Sequence, residues 1–334
     1  MLRKTSKVLI QGMLATAIML SLTGCDNNDT SKTEPASQAG ASAVAEDPTA
    51  QLATKLNAYV GCFNTVDGSA RGSAQRYTSW ISNVDKGPTG KERNVNVLGD
   101  LTPYELDSCT KALNQASKAK PALPVLDAAA VRYLTDLTAL VPLVSQAHAY
   151  YSQEDYKDDS FKKGKQMHQP LMTAFRQFIK ASDVFGTEVE KETNKLSAAQ
   201  LIEIEKTEGR HSSYYRLALV SQAKLLATQL SAQSPDIAEA TKAIDAYSVL
   251  LAEAGKATAN EAHKPITWSV FQNQAGTFLK DSKDRMRRVR DKTPYSHGEQ
   301  QLLENDGNTG WMVAGSPMRV FRSYNELVES SNRM

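Results

Sequence analysis

The sequence predicts an all-α fold, and three observations carry that prediction. Apolar residues recur at spacings of three and four along most of the chain, and no stretch sustains the two-residue alternation of a half-buried strand. Helix-start patterns, Thr-Pro or Ser-Pro or Ser with Gln three residues on, stand ahead of several periodic runs. The expected architecture is an elongated multi-helix bundle over residues 48–334, either single or divided into two packed sub-bundles that meet near Leu196.

Leu52, Leu56, Tyr59, Phe63, Val66, Ala70, Ala74, Tyr77 and Ile81 line one face of a first long helix. Gly61, Gly68 and Gly72 each weaken it by about 1 kcal/mol, so close packing or a break near Gly68 is expected. Lys86 to Leu101, with Gly87-Pro88 and Gly90, reads as a loop. Thr102-Pro103-Tyr104-Glu105 has the form of a capping box with proline at the first helical position, and it opens a second helix carrying Leu106, Cys109 and Leu113. Leu126 to Tyr151 forms a third helix, with a kink expected at Pro142. Met167, Leu171, Phe175, Phe178 and Phe185 define a fourth, and Ser197-Ala198-Ala199-Gln200 reads as the cap of a fifth that runs to about Leu230. Ser234-Pro235 opens a sixth with Ile237, Ile244, Tyr247 and Leu251 aligned. Trp268 to Asp291 forms a seventh, and Ser316-Pro317 starts the last, which carries Val320, Tyr324 and Leu327.

The N-terminal residues have another character. Arg3, Lys4 and Lys7 form a positive segment ahead of an apolar run from Leu9 to Leu22, too short to span a bilayer comfortably, so residues 1–24 read as an export signal. Leu22-Thr23-Gly24-Cys25 resembles a bacterial lipobox, which implies that Cys25 is acylated and becomes the N-terminus after cleavage. Acyl chains contribute about 0.8 kcal/mol per buried methylene, enough for stable membrane anchoring once more than one is attached. Asp26 beside Asn27 resembles the residues that retain enterobacterial lipoproteins at the inner membrane, so the expected address is the periplasmic side of the cell envelope. Residues 26–47 are polar and small, and form a tether that holds the folded part a few tens of Å from the bilayer, from a coil spread of about 5 Å times the square root of residue number.

Composition fits this reading. The 334 residues carry 39 Lys plus Arg against 37 Asp plus Glu, and the slight basicity belongs to the export signal. That balance offers no general attraction for nucleic acid, and 41% apolar residues exclude a wholly disordered chain. Of three cysteines, Cys25 is the lipid site, which leaves Cys62 and Cys109 as an even pair in an oxidising compartment. A disulfide between them is expected, worth about 4 kcal/mol by loop entropy.

Several phrases resemble the YiiG-like bacterial lipoprotein family, a domain of unknown function. They are Lys55-Leu56-Asn57-Ala58-Tyr59, Arg76-Tyr77-Thr78-Ser79-Trp80, His168-Gln169-Pro170-Leu171-Met172 with Phe175 and Phe178, and Ser323-Tyr324-Asn325-Glu326-Leu327-Val328. These are packing patterns rather than chemical signatures. The resemblance implies an exported, lipid-anchored helical protein and carries over no catalytic residue.

Chemical signatures are correspondingly sparse in the sequence. His148, His168, His211, His263 and His297 are dispersed, and Glu208-x-x-His211 lacks the second copy that a di-metal bundle needs, so neither metal nor cofactor is expected. Ser117 with Lys120, Ser160 with Lys163, and Ser221 with Lys224 match Ser-x-x-Lys without the partner motifs of penicillin-recognising enzymes. Gly87-Pro88-Thr89-Gly90-Lys91 lacks the spacing of a phosphate loop. Asp158-Asp159 reads as a solvated pair in a polar linker, and Trp311 as packed against the last helix. One charge feature stands out: Lys280, Lys283, Arg285, Arg287, Arg288, Arg290 and Lys292 crowd one helix end, offset in part by Asp281, Asp284 and Asp291. The plain reading is a solvated helix end; the sharper one is a contact with anionic lipid headgroups or another envelope polyanion. The function expected is therefore non-enzymatic binding to an envelope partner, the alternative being an enzyme or small-ligand binder with a site assembled from dispersed residues.

Overall fold

Periodic apolar faces become nine α-helices in a computed structural model that describes residues 47–232, 234–304 and 309–334. The expected export signal, Cys25, Asp26 and the tether up to residue 46 lie outside the described residues. The helices are α1 (Pro48–Ser79), α2 (Pro103–Ala116), α3 (Pro124–Ser152), α4 (Lys162–Thr207), α5 (Ser212–Ser231), α6 (Ile237–Ala257), α7 (Trp268–Arg290), α8 (His297–Glu304) and α9 (Pro317–Asn332). No strand occurs among the described residues.

The local start patterns act as written where a side chain alone decides. Thr102 accepts from the Glu105 N–H while the Glu105 carboxylate accepts from the Thr102 N–H at 2.9 Å, a complete capping box at α2. Ser316 accepts from the Arg319 N–H at 3.0 Å and Pro317 opens α9. At α6 the start shifts past Ser234-Pro235: Asp236 is the cap and accepts from the Ala238 and Glu239 N–H groups.

Tertiary packing moves one expected helix start, decides between packing and a break at Gly68, and adds one helix. The helix proposed to begin at Ser197 does not: α4 runs through it for 46 residues, with Ser197 buried in mid-helix. Nothing between Asn194 and Gln200 breaks the backbone, so the Ser-x-x-Gln pattern has no helix end to cap. The chain turns instead at Gly209, φ +80°, whose N–H reaches the Glu205 carbonyl at 3.2 Å in an αL stop. Likewise α1 passes through Gly68 unbroken, because burial of Tyr59, Val66, Ala70 and Tyr77 outweighs a glycine penalty of about 1 kcal/mol. Residues 297–304, absent from the helices read in the sequence, form α8, started by Ser296 and Glu299 as a second capping box.

Two hydrophobic cores result, and α4 belongs to both. The first is built by α1 to α4. Tyr59 meets Phe185 (ring centroids 5.7 Å apart) and Tyr77 meets His168 (5.8 Å), so α1 lies antiparallel to α4. Tyr133 stacks on Phe185 (4.9 Å) while Tyr150 closes on Gly164, so α3 is also antiparallel to α4. A Cβ at Gly164 would stand 2.8 Å from the Tyr151 hydroxyl, which is why glycine occupies that crossing. α3 is long and apolar enough to cross a membrane by length and composition, but Leu126, Tyr133, Leu137, Leu140 and Val144 face this core. Leu196 is the last α4 residue buried in it, and Leu201 already packs against the second core. That core joins α5, α6, α7 and α9 through Tyr247, Phe271, Phe278, Val320 and Leu327. Lys224 of α5 ties the two together, donating to Asn194 of α4 at 2.9 Å.

Candidate functional site

α7 exposes its basic end because its apolar face ends near Met286 while its last two turns carry the cations. The structure divides these residues into three groups. Arg285 leaves the candidate surface altogether: it is 5% exposed, and its guanidinium donates to the carbonyls of Leu230 and Ala232, both at 3.1 Å. It follows Phe271, Ala275, Phe278 and Ser282 at spacings of four, three, four and three, so the helix period itself turns it inward, where it satisfies the otherwise unpaired end of α5. Burial holds its pKa below the usual arginine value.

The second group is committed to neighbours. Arg288 grips Glu299 at 2.7 Å and lies over the Tyr295 ring at 4.4 Å, joining α7 to α8. The Arg288 guanidinium, with the Ser296 N–H, pulls the Glu299 carboxyl down to about 2. Lys280 and Arg287 both pair with Asp284, at 2.8 and 3.3 Å, and Arg290 pairs with Asp291 at 2.7 Å. The third group is Lys283 and Lys292, which have no carboxylate partner among the described residues. Lys292 sits at φ 49° and terminates α7 in a Schellman turn, with Thr293 N–H on the Arg288 carbonyl at 3.0 Å.

Between these groups lies a shallow cleft of about 210 Å³ lined by Arg287, Arg288, Asp284, Asp291, Thr293, Ala314 and Gly315. Gly315, φ +70°, permits the close approach of the preceding loop, since a Cβ there would stand 3.0 Å from the Asp284 carbonyl. An anion entering this cleft meets two guanidinium groups that are already paired with carboxylates. The arrangement can attract negative charge, but it sets up no nucleophile with an adjacent base.

The other motifs dissolve into local structure. Glu208 ends α4 and accepts from Ser213 Oγ at 2.6 Å, while His211 precedes α5 in extended backbone, so the two do not share a helical face. Among the described residues no cluster of three or more His, Cys, Asp or Glu could hold a metal ion. In the 87–91 loop the Thr89 and Gly90 N–H groups are taken by the Glu92 carboxylate at 2.6 and 2.8 Å. Partial burial raises the Glu92 pKa, but those donors outweigh it and hold the carboxyl below its ordinary value. Trp311 packs on α9, with the Arg322 guanidinium 3.7 Å from its ring centroid.

Cys62 of α1 and Cys109 of α2 form a disulfide with a Cα separation of 4.8 Å. Antiparallel pairing of the two helices brings them together.

Sequence reading missed three buried ionisable groups of the first core. Lys55 spends all three protons on the Ala119 and Pro121 carbonyls, each at 2.9 Å, and on Asp127 at 3.0 Å, which also accepts from Tyr59. Asp67 accepts from Ser182 and from Arg71, whose other arm reaches Asp183 at 2.8 Å. Burial raises the Asp67 pKa against the lowering pull of Arg71. His168 bridges Tyr77 (2.9 Å) and the Val84 carbonyl (2.8 Å). Each lies on the apolar stripe of its helix, Lys55 beside Leu52 and Tyr59, His168 ahead of Leu171 and Phe175; that position is the sign that could have found them.

Among the described residues these features define an all-helical, disulfide-bonded protein with two packed cores. The chain belongs to the family described as a protein of unknown function (DUF3829), whose model matches residues 50–333. It is 31% identical over 352 residues to the uncharacterized protein YiiG of Escherichia coli (strain K12), covering 98% of this chain and 99% of that one. The resemblance read from the sequence phrases is therefore borne out. No solved structure matches the chain.

Proposed function

We propose that this protein is an exported lipoprotein of the bacterial envelope, anchored through acyl chains on Cys25, that works by binding rather than by catalysis. The observation that carries the reading is the order of features in the first 25 residues: three cations, an apolar run, small residues and then Cys25. The disulfide supports it, because Cys62 and Cys109 pair and leave Cys25 over, as an oxidising compartment and a lipidated third cysteine require. On this reading residues 26–47 hang the helical domain in the periplasm, and Asp26 favours the inner membrane. The exposed cations Lys280, Arg287, Arg290 and Lys292, with half-buried Lys283, are the surface offered to anionic headgroups or another envelope polyanion.

The test is metabolic labelling with an alkyne-bearing palmitate, followed by membrane fractionation. The wild-type chain is expected to take up label and sediment with membranes; Cys25→Ala is expected to lose the label. Equal labelling of both chains, or none in either, overturns the reading.

A further inference from the structure

A second cleft lies on the other bundle, between α3 and α4, with a volume of about 390 Å³, within the range of small-molecule sites. Its α4 wall runs from Lys163 through Gln166, Met167 and Pro170 to Leu171, and its α3 wall is made by Gln146 and Leu143. The eight helical rises from Lys163 to Leu171 set its length at about 12 Å.

The walls share one gradient. α3 and α4 are antiparallel, as the Tyr133 to Phe185 and Tyr150 to Gly164 contacts require, so Gln146 stands beside Met167 and Leu143 beside Pro170 and Leu171. Both walls are thus polar toward the Lys163 end and apolar toward the other. Among the described residues Lys163 has no carboxylate partner, and its ammonium lies 5.6 Å from the centroid of the Tyr150 ring. The nearest acid in sequence, Asp159, is engaged through one oxygen by the Tyr150 hydroxyl (2.7 Å) and through the other by the Lys163 N–H (2.9 Å). Among the described residues the side chains of Gln146 and Gln166 have no hydrogen-bond partner. A free cation and two uncommitted amides at one end of an apolar trough form the complement of a single anionic head on an unbranched chain.

We propose that this cleft binds a medium-chain fatty acid, with its carboxylate on Lys163 and its chain along Met167, Pro170, Leu143 and Leu171. The site does not depend on lipidation of Cys25, so its test and that of the anchor fail separately.

The experiment uses the chain carrying Cys25→Ala, so that no covalent lipid competes, with decanoate below its micelle-forming concentration as probe. Calorimetry is expected to show one saturable site. In spectra of ¹³C-methyl methionine the Met167 resonance is expected to move, while those of buried Met172 and of Met286 in the second core stay in place. Lys163 is exposed, so Lys163→Met keeps the fold; it is expected to weaken decanoate about tenfold, the worth of one charge-assisted hydrogen bond. 1-Decanol, of equal length without the charge, is expected to bind about tenfold more weakly than decanoate to the wild-type chain and equally to both chains. Octanoate is expected to bind about fourfold more weakly than decanoate, twofold for each methylene in a trough open along one side. The proposal is overturned by an unmoved Met167 resonance, by decanoate affinity unchanged in Lys163→Met, or by decanol binding as tightly as decanoate.

Discussion

The two cores bury ionisable side chains for different ends. In the first bundle two of them fasten covering segments to helices, Lys55 holding the α2–α3 connection at Ala119 and Pro121 and His168 the α1–α2 loop at Val84, while Asp67 joins α1 to Ser182 of α4. In the second they satisfy helix ends and join helices: Arg285 takes the last carbonyls of α5, and Arg319 of α9 reaches buried Asp281 of α7 at 3.1 Å. The first bundle has the long loop between α1 and α2 to secure and a disulfide to help; among the described residues the second has no disulfide. A cation in a helical protein can therefore be a strap or a cap, and the difference decides which part of the molecule its removal disturbs.

The disulfide gives the largest contrast. Replacing Cys62 and Cys109 by serine is expected to destabilise the first bundle by about 4 kcal/mol, from the freed 47-residue separation. Hydrogen exchange followed by mass spectrometry is expected to show lost protection in α1, α2 and α3 with α6, α7 and α9 unchanged. Equal loss in both would mean that α4 couples the cores into one cooperative unit, and the comparison would have to be recast as one between two faces of a single body.

Removing a cap is expected to matter less and elsewhere. Arg285→Met strands the Leu230 and Ala232 carbonyls, at about 2 kcal/mol, within the usual range for buried groups left unpaired. Protection is expected to fall at the C-terminal turn of α5 and the adjoining end of α7, and to hold throughout α1 to α3. Fraying confined to the first bundle would contradict the assignment of Arg285 as a cap.

Legibility in the sequence follows the same division between local and distant causes. The caps at Thr102 and Ser316 were readable because a side chain and a backbone group three residues away are enough to make them. The α1–α2 disulfide was readable because only two cysteines remained once Cys25 was set aside. The continuity of α4 was not, since Ser197-x-x-Gln200 has the form of a cap and only the burial of Ser197 against neighbouring helices excludes it. The basic run was visible as charge, and helix spacing accounts for Arg285 turning inward and for Lys280 and Arg287 meeting Asp284, but the α5 carbonyls that Arg285 reaches and the α8 carboxylate that Arg288 grips come from other elements that no spacing rule predicts. The α3–α4 cleft was invisible for the same reason: its gradient exists only after two helices more than a turn apart in sequence lie antiparallel.

The smallest predicted effect is a pH dependence confined to the strap. A backbone carbonyl can only accept, so His168 Nε2 carries the hydrogen toward Val84, and Nδ1 accepts from the Tyr77 hydroxyl. The neutral ring is fully satisfied in that state. Burial disfavours the charged ring and nearby Arg176 adds to that, against the opposing pull of the Val84 carbonyl and Asp85, so the folded-state pKa lies below the ordinary histidine value. The unfolded chain then binds more protons than the folded one as pH falls. The stability owed to this group is complete above the ordinary value of about 6.5 and is lost as pH descends through the lowered one. Thermal unfolding of the first bundle is expected to shift downward from pH 7 to pH 5, with a smaller shift in His168→Gln, where no titrating ring remains. His148, which holds the Leu98 carbonyl on the same loop at 2.8 Å, is unchanged in both chains and so cancels from the difference. If the wild-type and His168→Gln curves run parallel across that range, His168 is held by packing alone, and the loop it fastens would have to be secured by Ser73 on Gly99 and by Gln169 on Asp85 instead.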